Sequence, residues 1–219
     1  MNTQKLIPNL FTFATLTAAA LLAGCGTTSG YKQADKTGEG IAEFREEIVN
    51  GKKAIDGTMK SLDQIAASAT TDPRKAFEKF SKGVSNLEST AGKVRDRGQD
   101  MKAQGKVYFA QWEKQMAELK NEEIRSLAAS RKAKLQETFE AIAKAAEPLK
   151  AQFSPWMSDL KDLEKFLGND LTIAGVDAAK GLFAKTRSSG LEVQKSMDAL
   201  IAELNSVAAT ITPAKTAAK

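Results

Sequence analysis

An all-α fold, an elongated antiparallel coiled-coil bundle of about four long helices, is what this chain predicts. Three observations carry that reading. Apolar residues recur on an alternating three-and-four spacing through nearly the whole chain after the first 40 residues. No segment alternates with period two for long enough to argue for a strand. The breaks between the periodic stretches are short, so sequential helices must pack antiparallel.

The first stripe is Ile41, Phe44, Ile48, Gly51, Ile55, Thr58, Leu62 and Ile65. The second opens at Asp72-Pro73, an N-cap residue before a first-turn proline. It runs through Phe77, Phe80, Val84, Leu87, Val94, Met101 and Tyr108 to Trp112. The third begins near Asn121, with Glu122 and Glu123 in the first turn, where the helix dipole favours acids. Its stripe passes Leu135, Ile142, Leu149, Phe153, Trp156 and Leu160 and ends at Leu167. Gly168-Asn169-Asp170 then breaks the pattern, as a helix-ending Gly and Asn do. The last stripe places Val176, Phe183, Gly190, Met197, Leu204 and Ile211 seven residues apart. A strict seven-residue period imposes a left-handed supercoil on packed helices.

Gly51, Gly98, Gly105 and Gly190 occupy seam positions and mark places where helices approach closely or bend. Pro148 and Pro155 fall inside the third helix, and each predicts a kink. Trp112 and Trp156 lie on seams and read as core anchors.

The amino end has a different logic. Lys5 is followed by an apolar run from Leu6 to Leu22 and small residues before the single cysteine, Cys25, in Leu22-Ala23-Gly24-Cys25. This is the order of a secretory signal peptide. A cysteine at the cleavage point resembles the bacterial lipobox, in which the thiol carries a diacylglycerol and the freed amine a further acyl chain. A membrane-spanning helix is the competing reading, but it needs about 20 apolar residues. The run is slightly short and carries Pro8 and Asn9 near its start. The predicted organisation is a lipoprotein signal peptide over 1–24, a flexible tether with lipidated Cys25 over 25–39, a helical domain over 40–212 and a polar tail over 213–219. Two or more acyl chains hold a protein stably on a membrane. Gly26 stands where lipoproteins retained at the inner membrane usually have Asp, so the resemblance implies the outer membrane, facing the periplasm.

With Cys25 lipidated, no thiol remains to form a disulfide. Removing the first 24 of 219 residues leaves 195, enough for a sizeable core. The net charge of +5 becomes +4 when Lys5 leaves with the signal peptide. That mild excess implies a well-solvated surface, and export argues against nucleic acid as a partner.

Val94-Arg95-Asp96-Arg97, with Phe109 and Trp112-Glu113 later in that helix, Ser126-Leu127, Lys134-Leu135-Gln136-Glu137-Thr138, Glu147-Pro148-Leu149 and Leu160 to Leu167 together resemble the bacterial lipoproteins of domain of unknown function 2959. The resemblance covers Tyr31 to Ile211. It implies a helical, envelope-located protein and supplies no catalytic residue, cofactor or substrate. Members of that family are acidic, whereas this chain is net basic, so no inference from surface charge carries over.

Catalysis finds no foothold in the sequence. There is no histidine to act as a base near neutral pH, and the only thiol is assigned to lipid. No nucleophile elbow, phosphate loop or metal-ligand spacing is present. The adjacent carboxylates Glu46-Glu47 and Glu122-Glu123 diverge on a helix and read as solvated surface. No cofactor is expected. Arg95, Asp96 and Arg97 read first as interhelical ion-pair formers, and otherwise as a docking patch for an acidic partner. Arg125, Arg131, Lys132 and Lys134 form a basic cluster with acids close by. Lys219 offers a terminal amine for attachment to peptidoglycan. The expected function is a non-enzymatic, lipid-anchored envelope scaffold that meets an envelope protein or a copy of itself. The alternative is a periplasmic binder of lipid or apolar ligand admitted through glycine-thinned seams.

Overall fold

Four helices account for almost all of the computed structural model, which describes residues 30–211. They are α1 (Gly30–Ser68), α2 (Arg74–Ala117), α3 (Glu122–Asn169) and α4 (Ile173–Ile211), of 39, 44, 48 and 39 residues. At 1.5 Å per residue α3 is about 70 Å long. Each helix packs on its neighbours in sequence, and α4 closes the ring against α1, while the diagonal pairs stay apart. Among the described residues there is no strand. The architecture is the predicted all-α antiparallel bundle.

In α1 and α4 burial follows two seven-residue rows. In α1 one row is Ala34, Ile41, Ile48, Ile55 and Leu62, and the other is Thr37, Phe44, Gly51, Thr58 and Ile65; all are buried. In α4 the predicted row of Val176, Phe183, Gly190, Met197, Leu204 and Ile211 is joined by Ala179, Thr186, Val193, Leu200 and Val207 three residues on. Two rows at that offset form a core-facing seam. The threonines cost little there, because Thr37 and Thr58 donate to the carbonyls of Gln33 and Ala54 at 2.8 Å in their own helix.

The seam glycines create room for rings. A Cβ on Gly190 would sit 3.2 Å from Trp156 Nε1, one on Gly105 would lie 2.8 Å from the Phe139 ring, and one on Gly98 would lie 3.3 Å from Phe44. Trp156 is 1 % exposed and donates its indole N–H to the Thr186 carbonyl at 2.9 Å. The close approaches expected at glycine are therefore present, with an aromatic side chain at Gly98, Gly105 and Gly190 and Met197 at Gly51.

Helix ends follow local chemistry. The Asp72 carboxylate accepts the Arg74 N–H at 3.1 Å and the Arg74 side chain at 2.9 and 3.0 Å, so it caps α2 although the backbone cap position is Pro73. These bonds hold the Asp72 carboxyl below its ordinary range. The Asn121 side chain accepts the Ile124 N–H at 3.1 Å. Gly168 and Asn169 stay within α3, and Asp170 forms its cap. Thr172 starts α4 by accepting the Gly175 N–H at 3.1 Å.

One expectation changes. The segment expected to be a flexible tether up to Glu39 is helical from Gly30, and Gln33, Ala34, Thr37, Gly38 and Gly40 are buried. Small and polar residues there keep the seven-residue register without an apolar signal, and packing overrides weak propensity. The helix α3 is unbroken at Pro148 and Pro155. Both prolines are exposed, and so are Lys144 and Ala151, whose carbonyls lose a helical partner on the solvent side of the helix. The signal peptide, Cys25 and the polar tail lie outside the described residues.

Leu160 is 0 % exposed, so Leu160→Ala should lower the unfolding free energy by about 2–5 kcal/mol, whereas Lys161→Ala should stay within about 0.5 kcal/mol. Urea denaturation followed by circular dichroism measures both. Gly190→Leu, driven into the Trp156 ring, should cost about 1–3 kcal/mol in the same assay.

Candidate functional site

Ion pairs and hydrogen bonds between charged and polar side chains link neighbouring helices along the edges of this bundle. Along the α1–α4 edge, Lys52 pairs with Asp198, Arg187 with Asp63, Arg45 Nη1 donates to Asn205 at 3.0 Å and Gln194 donates to Asp56 at 2.5 Å. Partner numbers fall on α4 as they rise on α1, the mark of one antiparallel register. Lys161 meets Glu88 at 2.6 Å across α2–α3, and Lys185 meets Asp159 at 3.1 Å across α3–α4.

The sequence-derived site residues fall into this pattern. Arg97 lies 3.1 Å from Glu43 of α1 and 3.9 Å from Asp100, the interhelical pairing its position suggested. Arg95 and Asp96 are exposed beside it. In the basic cluster, Arg125 pairs with Glu122, Lys132 with Glu113 at 3.0 Å, and Arg131 donates to the Thr210 carbonyl at 3.1 Å. Only Lys134 stands simply exposed. Cys25 and Lys219 lie outside the described residues. Among those residues, no group of three or more acids, histidines or cysteines could hold a metal ion.

One concave feature differs from the rest. A cleft of about 280 Å³ opens where α1 starts and α2 ends, lined by residues that include Ala34, Tyr108, Gln111, Trp112 and Met116, with Gly30 and Tyr31 at the chain entry. Its wall is an aromatic cluster. Tyr108 lies 5.2 Å from Phe109 and 5.8 Å from Trp112, the latter edge-on, and Phe109 meets Phe139 edge-on at 5.3 Å. Burial pushes the Tyr108 hydroxyl above its ordinary value of 10.0, and the Arg131 charge pulls it partly back. Two buried polar atoms of lining residues, Trp112 Nε1 and Gln111 Oε1, have no hydrogen-bond partner among the described residues. Buried polar groups are almost always paired, so two orphans in one cleft are notable. A second, more open groove of about 490 Å³ runs beside Phe183, Arg187 and Leu191, over the Asp63–Arg187 pair.

Sequence reasoning placed Trp112 on a seam but found no cleft. The signal was a break in register: Ile41 has an apolar counterpart in every later turn of α1, whereas the turns before it offer only Gly30, Gln33 and Ala34. Small residues there leave the aromatic end of α2 incompletely covered.

The model of a family described as a protein of unknown function, DUF2959, matches residues 27–211. The chain belongs to the DUF2959 family. No curated protein and no solved structure matches it. For this DUF2959 protein the family adds no assigned activity, so function rests on the geometry.

The raised Tyr108 value has a sign that can be tested. The fold favours the neutral phenol, so its contribution is intact below pH about 10 and is lost as pH rises through that value and the higher folded one. The urea midpoint should fall more steeply between pH ~9 and ~11 in the native chain than in Tyr108→Phe.

Proposed function

We propose that this DUF2959 protein is a lipid-anchored cell-envelope scaffold without enzymatic activity, held by acyl chains on Cys25 and facing the periplasm from the outer membrane. The observation that carries the reading is the position of Gly30, the first residue of α1, five residues after Cys25. A rigid rod about 60–70 Å long would thus begin almost at the membrane surface. No helix among the described residues is long and apolar enough to cross a membrane.

A closed core supports scaffolding over cargo transport. The gaps at Gly98, Gly105 and Gly190 are filled by Phe44, Phe139 and Trp156, which leaves no open seam at those points. An envelope protein or a second copy is the partner class this reading implies. Leu182 and Leu191, exposed by 51 % and 59 % on α4, are among the outward apolar residues available to such a contact. Nucleic acid and a cofactor have no place in it. Lys219 keeps its candidate role as a peptidoglycan attachment point, decided by whether the protein persists in sacculi boiled in detergent.

The second reading, binding of an apolar ligand, draws on the aromatic cleft alone.

Metabolic labelling with palmitate tests the anchor. The native chain should incorporate label and sediment with outer membranes, while Cys25→Ser should lose both label and membrane association and keep its helical circular dichroism spectrum. A Cys25→Ser chain that stays membrane-bound would overturn the anchor. Crosslinking in intact cells should capture an envelope protein or the protein itself with the native chain and not with Cys25→Ser.

A further inference from the structure

We infer that one end of the bundle, made by the start of α1 and the turn between α2 and α3, rests in the headgroup layer of the anchoring membrane. Ile124, Leu127 and Tyr31 are the side chains that enter it. The inference rests on the lipid anchor proposed above and specifies how the anchored domain meets the bilayer.

Exposure marks the surface. Leu127 is 71 % exposed, more than any other large apolar side chain among the described residues, and Tyr31 follows at 61 %. Ile124, half exposed, stands three residues before Leu127, so both lie on one face of α3. The cause is a difference in helix ends. Arg131 donates to the Thr210 carbonyl, one residue before the last described residue of α4, so the first two turns of α3 run on beyond it. Ile124 precedes Arg131 by seven residues and continues that row where the described part of α4 has ended.

Charge and polarity suit a bilayer boundary. Residues 31–36 and 113–125 hold five basic and five acidic side chains, so this end is electrically balanced. Exposed Leu, Ile and Tyr on such a surface match the membrane interface, where tyrosine rings sit at headgroup level and apolar side chains reach the acyl boundary. Glu122 and Glu123, exposed just before Ile124, keep the contact shallow, because carboxylates are costly at depth.

Placement names the occupant. A Cβ on Gly30 would lie 3.3 Å from Gln115 Oε1, and Lys132 meets Glu113 at 3.0 Å, which sets the relative levels of α1, α2 and α3. At 1.5 Å per residue, Ile124 then stands roughly 9 Å and Leu127 roughly 5 Å farther out along the bundle than Gly30. Cys25 precedes Gly30 by five residues, which reach at most roughly 18 Å. A bilayer holding the acyl chains of Cys25 lies within that distance of Gly30, and the overhanging turn spans about half of it. The other end of α1, at Ser68, is roughly 57 Å away. The apolar end is therefore the one kept at the membrane, and docking there would fix the tilt of the rod.

Site-specific labels test the contact. Cys25 is the only cysteine, so Ser126→Cys and Ser85→Cys each add one free thiol to the lipidated chain, the first beside Leu127 and the second far along α2. Both serines are exposed. The labelled proteins are reconstituted in phosphatidylcholine vesicles whose lipids carry a nitroxide quencher near the headgroup. A fluorophore at Ser126→Cys should be blue-shifted and strongly quenched, and one at Ser85→Cys should show neither effect. Adding Ile124→Ser and Leu127→Ser to the Ser126→Cys chain should abolish the quenching and leave its circular dichroism unchanged. Raising sodium chloride from ~0.1 to ~1 M, which shortens screening from about 10 to about 3 Å, should change nothing. Quenching lost in salt, or kept after the two serine substitutions, would overturn the inference, since neither fits an apolar contact by these side chains. A blue shift without lipid quenching would assign the face to a second copy and also overturn it. Mass spectrometry of the amino-terminal peptide separates the two levels. A peptide without lipid would overturn the anchor and this inference with it, whereas a lipidated chain quenched no more at Ser126→Cys than at Ser85→Cys would overturn this inference alone.

Discussion

Everything in this molecule depends on keeping buried rows in a strict seven-residue register, two rows each in α1 and α4. A bundle of four helices has no disulfide or metal among the described residues to hold it, so its stability comes from apolar area removed from water. Each helix is far longer than an isolated helix needs to be for propensity to matter, and most of its stability comes from tertiary packing. The register tolerates substitutions of kind more than of size. Threonine sits at Thr37, Thr58 and Thr186 in core rows, and glycine at Gly51 and Gly190, without interrupting the seam. What cannot change freely is the pairing of small with large across the core, as Gly190 with Trp156 illustrates.

Around that core the polar edges give direction more than strength. Exposed ion pairs are each worth about 0–1 kcal/mol. Their value lies in the shared register: Lys52–Asp198, Asp56–Gln194 and Asp63–Arg187 all fit one alignment of α1 on α4, and a slip of one turn would break them together. This use of charge also explains why the basic cluster near the start of α3 offers no free patch. Arg125 and Lys132 are balanced by Glu122 and Glu113, and Arg131 is engaged by the end of α4. A chain with a net charge of +5 therefore presents little concentrated positive surface in that region.

The cleft is where the packing rule lapses. Tyr108, Phe109, Trp112 and Phe139 bring four rings to one end of the bundle, while the facing turns of α1 supply Gly30, Gln33 and Ala34. Large side chains opposite small ones elsewhere fill space, as at Gly105 and Gly190; here they leave it open. The orphaned Trp112 and Gln111 atoms lie at that same end. It is also the end at which the chain enters from the residues before Gly30.

The amino-acid sequence alone determined the helical class, the number of helices, the turns between them and, except for the start of α1, their limits to within a few residues. These depend on local periodicity, on caps such as Asn121 and on breakers such as Pro73, all of which act over one or two turns. It also determined the position of Cys25 relative to an apolar leader. It misplaced the start of α1 because Ala34 and Thr37 carry no apolar signal, although they occupy core rows once α2 and α4 are in place. Which helices are neighbours, which ring fills which glycine gap, and which side chains at the end of α2 go uncovered were decided only by the tertiary structure. Those outcomes depend on residues more than fifty positions apart in α1 and α2, or more than thirty in α2 and α3 and in α3 and α4, meeting at contact distance, and periodicity within one helix holds no information about its partner's register.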